Sequence, residues 1–183
     1  MSKKTILFEE KIIDAREVEL AQEIKMTYFP RGVPKELNLI LLGVLKGAAA
    51  FATNLHRELF RLGLDIPIEF LPASSYGNGK VSSGELQFSF DDTLKKRLTG
   101  KDILLVEDII DTGVTLSQLT EYIQRVIEPS SLRIVVEFDK PSKRTHPVKI
   151  DFIGFEIPGA WVEGRGIDTA GYGRGNPNLV SID

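Results

Sequence analysis

Two short apolar runs each break off in a polar turn and give way at once to a helical pattern, an alternation that few folds accommodate. Leu37–Leu45 reads LNLILLGVL and ends at Lys46-Gly47, after which Ala48–Leu62 places Phe51, Leu55, Leu59 and Leu62 at helical spacing, ending before Gly63. Asp102–Val106 ends at Glu107-Asp108, and Thr115–Ile127 then reads as a helix closed by Pro129. Runs this uniformly apolar suit strands buried on both faces of a sheet. Pro67–Leu71, Leu132–Phe138 and Val148–Phe155 read as further strands, and Glu85–Phe90 alternates as a half-exposed one does. Ile13–Phe29 has amphipathic helical spacing at Ile13, Val18, Ala21 and Ile24, broken by Pro30-Arg31-Gly32-Val33-Pro34. The repeated strand–helix–strand order predicts an α/β fold with a parallel central sheet flanked by helices. Right-handed crossovers would align the strand C-termini along one edge, where such sheets bind ligands.

A length of 183 residues suits a single domain, with no linker long enough to divide it. Cysteine is absent from the sequence, so a disulfide framework, a thiolate metal site and a cysteine nucleophile are all excluded. His56 and His146 read as surface positions rather than a multi-histidine zinc site. The net charge of -3 gives no basic excess to recruit nucleic acid. The longest apolar stretch is interrupted by Asn38 and Lys46, so no membrane span is expected. The N-terminus meets acidic residues before any long apolar run, unlike a secretory signal, and a cytoplasmic location is expected. Gly164–Asp183 is too glycine-rich to read as a core element and is either a tail or part of a site.

The densest chemical signal is DILLVEDIIDTGVTL over Asp102–Leu116. An apolar strand runs into the acidic pair Glu107-Asp108, and Asp111-Thr112-Gly113-Val114-Thr115 lies at a helix start. Backbone N–H groups at a helix N-terminus attract phosphate, and a glycine there lets the chain approach it closely. The Walker pattern GxxxxGK[ST] is absent from the sequence. The acidic pair would repel a polyphosphate unless it faced ribose hydroxyls or a magnesium ion. The segment therefore reads as a site for a sugar phosphate with a divalent cation; from spacing alone, a strand with capping carboxylates remains the other reading.

This segment resembles the phosphoribosyl pyrophosphate (PRPP) motif of the type I phosphoribosyltransferases. Its order with Leu45-Lys46-Gly47, Ser75-Tyr76, Asp139-Lys140-Pro141, GFEIP at Gly154–Pro158 and Asp168 is similar to the hypoxanthine–guanine branch. The resemblance implies a core over about residues 36–155 and a small hood lobe from the termini, about 1–30 and 156–183. It implies a purine salvage enzyme that moves the phosphoribosyl group from PRPP to a 6-oxopurine base, with magnesium as cofactor and a homodimer or homotetramer as the assembly.

The same resemblance assigns roles. Asp111, Thr112, Gly113, Val114 and Thr115 would hold the 5-phosphate, with Asp111 also the candidate general acid or base at purine N7. Glu107 and Asp108 would bind the ribose hydroxyls, directly or through magnesium, and Asp168, grouped with the purine-side residues, would bind the second magnesium beneath the pyrophosphate. Lys46, Gly47, Ser75, Tyr76 and Arg174 would meet pyrophosphate, the Leu45–Lys46 peptide being cis or trans. Ser74–Gly84 has the composition of a lid that would shield a developing ribosyl oxocarbenium ion from water. Lys140 would read the 6-oxo group, because an ammonium only donates hydrogen bonds. Trp161 would stack on the purine and Val162 offer backbone groups to its edge.

Glu163, Arg165 and the run Thr169–Asn176 depart from the family pattern and bear on base preference and C-terminal geometry. A non-enzymatic sensor of PRPP or a nucleotide on the same scaffold is the alternative reading, but it would not need Lys46, Lys140, Trp161 and Asp168 together. A phospho-acceptor receiver domain, suggested by ILLVED, would place its acidic pair at the start of the domain rather than after about 100 residues, and has no use for DTGVT.

Overall fold

The computed structural model describes residues 3–72 and 90–182. In chain order, β1 (Lys4–Phe8) and α1 (Glu10–Tyr28) lead into β2 (Leu39–Leu45), α2 (Ala49–Arg61) and β3 (Ile68–Pro72). Next come α3 (Asp92–Leu98), β4 (Asp102–Ile110), α4 (Val114–Val126) and β5 (Ser131–Asp139), then β6 (Phe152–Glu156), β7 (Trp161–Glu163) and β8 (Leu179–Ile182). Strands β2 to β6 form a five-stranded sheet in the order β3-β2-β4-β5-β6, parallel throughout, as the alternating pattern predicts. Both faces are covered. Leu39, Leu41, Leu104 and Val106 pack against Leu20, Ile24, Phe51, Leu55 and Leu59 of α1 and α2. Ile103, Leu105, Ile134 and Val136 pack against Leu98 of α3 and Leu116, Leu119 and Ile123 of α4. Each such side chain contributes roughly 1.5–3 kcal/mol by leaving water, which is why uniformly apolar strands settle here.

A second sheet, antiparallel and ordered β1-β8-β7, joins the two ends of the chain. It meets the main sheet through Ile13, Phe138, Ile157, Val162, Ile167 and Leu179. This corrects the reading of Gly164–Asp183 as free of core elements, since Leu179 and Val180 are buried. A four-residue strand gives little periodicity, and its pairing partner on β1 lies at the far end of the sequence.

Three further expectations need correction. Val18 is exposed, whereas Glu17 and Leu20 lie on the buried side of α1 with Ile13, Ala21 and Ile24. Val18 follows Ile13 by five residues, about 140° around the helix from it, while the inward stripe steps through Glu17, which an apolar search passes over. β4 does not stop at Val106 but continues through Glu107 and Asp108 to Ile110, paired with β5, because ladder hydrogen bonds use the backbone whatever the side chain. β6 begins at Phe152, not Val148; before it, the Asp151 carboxylate accepts the Ile134 N–H at 2.9 Å. The short α3 was not expected. Its cap is local, with the Asp91 carboxylate accepting the Leu94 N–H at 2.7 Å, Asp92 in the first turn and Lys95, Lys96 and Arg97 in the last.

Candidate active site

The parallel register brings Ile110 opposite Asp139 and Asp139 opposite Glu156, so the segments leaving β4, β5 and β6 share one edge with the Lys46-Gly47 turn after β2. The Leu45–Lys46 peptide is cis. Gly47 touches the Asp108 carboxylate so closely that a Cβ would lie 1.9 Å from Oδ2. No other residue type fits there without moving Asp108.

Asp108 is buried, and its N–H donates to Glu107 Oε1 at 3.3 Å. Burial raises the pKa of both carboxyls, and Glu107 is lifted well above the usual carboxylate range, by burial first and then by the neighbouring Asp108 charge. Two such oxygen-donor groups side by side suit a hard divalent cation, which would relieve their repulsion. Among the described residues no group of three or more His, Cys, Asp or Glu side chains gathers around one point. The donor set therefore fits magnesium, which keeps waters and substrate oxygens alongside one or two carboxylates.

The turn after β4 leads into α4. Gly113 is its N-cap, in the left-handed region at φ 85°, and has no side chain of its own to cap the helix; the Val114 N–H makes a long contact to Thr112 Oγ1 at 3.4 Å, and the first turn carries no acid. A Cβ on Gly113 would also lie 2.6 Å from the His146 carbonyl oxygen. The segment following β5 supports this turn from beneath. Thr112 O accepts the N–H groups of Thr145 and His146, both at 3.0 Å. Arg144 donates through Nε to Asp111 O at 3.2 Å and pairs with Asp139. Arg144 thus builds the site although its only local signal in the sequence is the positive charge of Lys140, Lys143 and Arg144 after a strand.

Lys140 follows β5 with a buried side chain, and its Nζ lies 3.5 Å from Asp111 Oδ2, an oxygen of a half-exposed carboxylate. Val162 is buried in the small sheet, whereas the adjacent Trp161 indole is 60% exposed and donates through Nε1 to Thr169 Oγ1 at 2.8 Å. Exposure on that scale is unlike core filling. Thr169, which orients the indole, stands out in the sequence only as the start of a run that departs from the family pattern. Asp168 Oδ1 pairs with Arg174 Nη2 at 2.5 Å, and Oδ2 accepts the Gly171 N–H at 2.6 Å. Ser75 and Tyr76, with the Ser74–Gly84 segment and all of the Glu85–Phe90 strand except Phe90, lie outside the described residues. Glu163 pairs with Lys4, and Arg165 with Asp14, Glu17 and Glu137, so both departures from the family pattern make ion pairs. His56 is half-buried rather than on the surface, with Nε2 2.7 Å from Ile66 O.

A parallel α/β sheet whose C-terminal edge carries an open helix N-terminus beside paired carboxylates defines the class of sugar-phosphate-binding domain. The family model of the phosphoribosyl transferase domain matches residues 11–169. The hypoxanthine-guanine phosphoribosyltransferase of Aquifex aeolicus is 35% identical over 99% of this chain and 96% of its own length. That of Bacillus subtilis is 39% identical over 95% and 90%. Among solved structures, Trypanosoma cruzi hypoxanthine phosphoribosyltransferase complexed with the product IMP superposes with a TM-score of 0.85 at 35% identity, covering 100% of this chain and 91% of the other. The chain belongs to the phosphoribosyltransferase family, in its hypoxanthine–guanine branch, and is an enzyme.

Proposed function

We propose that this enzyme transfers the 5-phosphoribosyl group of PRPP to hypoxanthine or guanine, giving IMP or GMP and pyrophosphate. The observation that carries the reading is the open N-terminus of α4 at Gly113, set beside the Asp111–Lys140 pair and in one sheet edge with Glu107 and Asp108. In the reaction the bond from ribose C1 to the pyrophosphate oxygen breaks, the pyrophosphate leaves with the electron pair, and a purine nitrogen bonds to C1. The N–H groups of Gly113, Val114 and Thr115, with the hydroxyls of Thr112 and Thr115, hold the 5-phosphate. Asp111 accepts the proton that purine N7 gives up as the new bond forms, and returns it in the reverse direction. Lys46, Gly47 and Arg174, together with Ser75 and Tyr76, take the pyrophosphate. Glu107 and Asp108 would hold magnesium, and Asp168 a second ion, which when bound would supply neutralising charge to the anionic donor. Among the described residues no helix is long and apolar enough to cross a membrane; a cytoplasmic enzyme acting as a homodimer or homotetramer, with a hood from the chain ends over the core, completes the proposal. The sensor reading is not favoured, because its scaffold would not need Lys46, Lys140, Trp161 and Asp168 together.

A product assay with PRPP and each of hypoxanthine, guanine, xanthine and adenine, with and without magnesium, tests this reading. Magnesium-dependent nucleotide from 6-oxopurines is expected, and adenine turnover equal to guanine turnover would refute it. Lys140→Ala should raise the KM for guanine and hypoxanthine roughly 10- to 100-fold, the scale of one hydrogen bond from a charged donor, with the KM for PRPP nearly unchanged. Equal loss toward PRPP would place this lysine on phosphate.

Trp161 is the only tryptophan in the chain, which makes its stacking directly readable. GMP should shift or quench its emission saturably, and ribose 5-phosphate much less. Trp161→Ala should weaken GMP binding by ~1–3 kcal/mol, the cost of losing one base–aromatic stack, while Trp161→Phe keeps most of it. Unchanged emission at saturating GMP, with full activity in Trp161→Ala, would remove the indole from the base site.

A further inference from the structure

One buried guanidinium outside the reacting edge gathers carboxylates from two elements. Arg165 lies in the connection between β7 and β8, with Nη1 3.1 Å from Asp14 Oδ1 and Nη2 2.5 Å from Glu17 Oε1, both on α1, and Nε 3.5 Å from Glu137 Oε1 on β5. Arg165, Glu17 and Glu137 are all buried. Neither oxygen of Glu137, nor Nε of Arg165, has a hydrogen-bond partner among the described residues. Two buried carboxylates therefore share one buried cation. Such a cluster is a poor source of stability, because well-packed apolar side chains commonly do as well or better. Its conformation is also costly. Arg165 sits in the left-handed region at φ 53°, which strains any residue with a Cβ and persists only where surrounding contacts over-determine it.

Those contacts lead to the ligand edge. Gly166, next in the chain, is pressed so closely to the Lys46-Gly47 turn that a Cβ on it would lie 2.1 Å from Gly47 O. Gly47 in turn abuts Asp108. On its other side, Gly166 donates its N–H to Arg174 O at 3.0 Å, and its carbonyl accepts Arg174 Nη1 at 2.6 Å. Arg165 itself donates its N–H to Asn176 O at 2.9 Å. The backbone that Arg165 anchors is thus wedged between the two segments assigned to pyrophosphate.

We propose that Arg165, clamped by Glu17 and Glu137, is a positioning residue for the pyrophosphate side of the site, fixing the Lys46-Gly47 turn and Arg174 through Gly166. The inference rests on the proposed role of Lys46, Gly47 and Arg174. It concerns the pyrophosphoryl end of PRPP and free pyrophosphate, not the purine or the 5-phosphate, which the segments after β5 and β4 serve. An arginine is needed because its planar fork spans several carboxylates at once, whereas a lysine ammonium reaches them only as a point charge.

The test uses the triple variant Glu17→Gln, Glu137→Gln, Arg165→Met, which removes the cluster without stranding a buried charge, and Arg165→Lys beside it. With magnesium present, the affinities of inorganic pyrophosphate and of IMP are measured by calorimetry and the KM for PRPP by turnover. Pyrophosphate affinity should fall at least tenfold and the KM for PRPP rise in parallel, while IMP affinity stays within threefold of wild type. Equal losses for pyrophosphate and IMP, or no loss for either, would overturn the inference and leave the cluster a structural tie between α1 and β5. Should the triple variant fail to fold, Arg165→Lys decides by the same split. A wild-type enzyme that binds IMP but not pyrophosphate would overturn the inference together with the assignment of Lys46, Gly47 and Arg174, while a wild-type enzyme that binds both yet makes no nucleotide from PRPP would sink the proposed function alone.

Discussion

Asp111→Asn should lower turnover by roughly 10²–10⁴-fold, the usual span for a group that moves a proton in the transition state. The carboxylate is placed for such work: Oδ2 faces Lys140 Nζ at 3.5 Å and is half-exposed at the ligand edge. Its structural part in the turn is played by the backbone, since Arg144 donates to Asp111 O and the Thr112 carbonyl takes two further N–H groups. An amide of the same shape should therefore leave the fold in place, at a cost of about 1 kcal/mol for a half-exposed ion pair. Nucleotide affinity should change far less than turnover. Stopped-flow turnover alongside GMP titration and thermal melting separates these effects. Near-wild-type turnover would take Asp111 out of the chemistry, and a large loss of melting temperature would make it a structural cap.

Gly47→Ala should lower kcat/KM for PRPP by about 10²-fold or more, through misplacement of groups by an ångström or so at the reacting edge. The added methyl would lie 1.9 Å from Asp108 Oδ2 and 2.6 Å from its Cγ, far inside any contact distance. Asp108 is buried, so its carboxylate has little room to swing aside, and either it or the Lys46-Gly47 turn must shift. Overpacking of this kind typically costs ~1–3 kcal/mol of stability, a loss the folded enzyme should survive. Gly175→Ala provides the matched control, because a Cβ there meets nothing within 4 Å. Steady-state kinetics on both variants, with melting curves, check the prediction. Equal kinetics for the two would mean that the contact with Asp108 does not matter to the reaction.

Much of this site was legible because its signals are local. The DTGVT run at Asp111–Thr115, the buried strands read over Leu37–Leu45 (beginning at Leu39 in the structure) and Asp102–Val106, and Lys140 after β5 each lie within a few residues of the pattern that reveals them. Gly113 is a case in point. A glycine between a strand and a helix announces both the φ of 85° and the open helix end. Residues whose meaning depends on a distant partner read as something else. Glu17 looks like a solvent-facing helix position until Arg165, 148 residues on, turns up beside it. Gly47 stands in the sequence as a turn glycine assigned to pyrophosphate, and nothing there shows that Asp108 fills the space its side chain would need. Thr169 is one small polar residue among many, and only the indole of Trp161 gives it a role.

The amino-acid order alone determined the parallel α/β sheet, the edge where its strand C-termini gather and the helix start at Gly113, because hydrophobic period, turn chemistry and helix ends are set by neighbours in the chain. Tertiary structure alone decided that β8 closes a sheet with β1, that Asp108 rests against Gly47, and that Arg165 is held between α1 and β5. Those outcomes follow from which surfaces meet once the chain is compact. The energy of a buried charge or a missing Cβ depends on atoms far away in sequence, which no local pattern records.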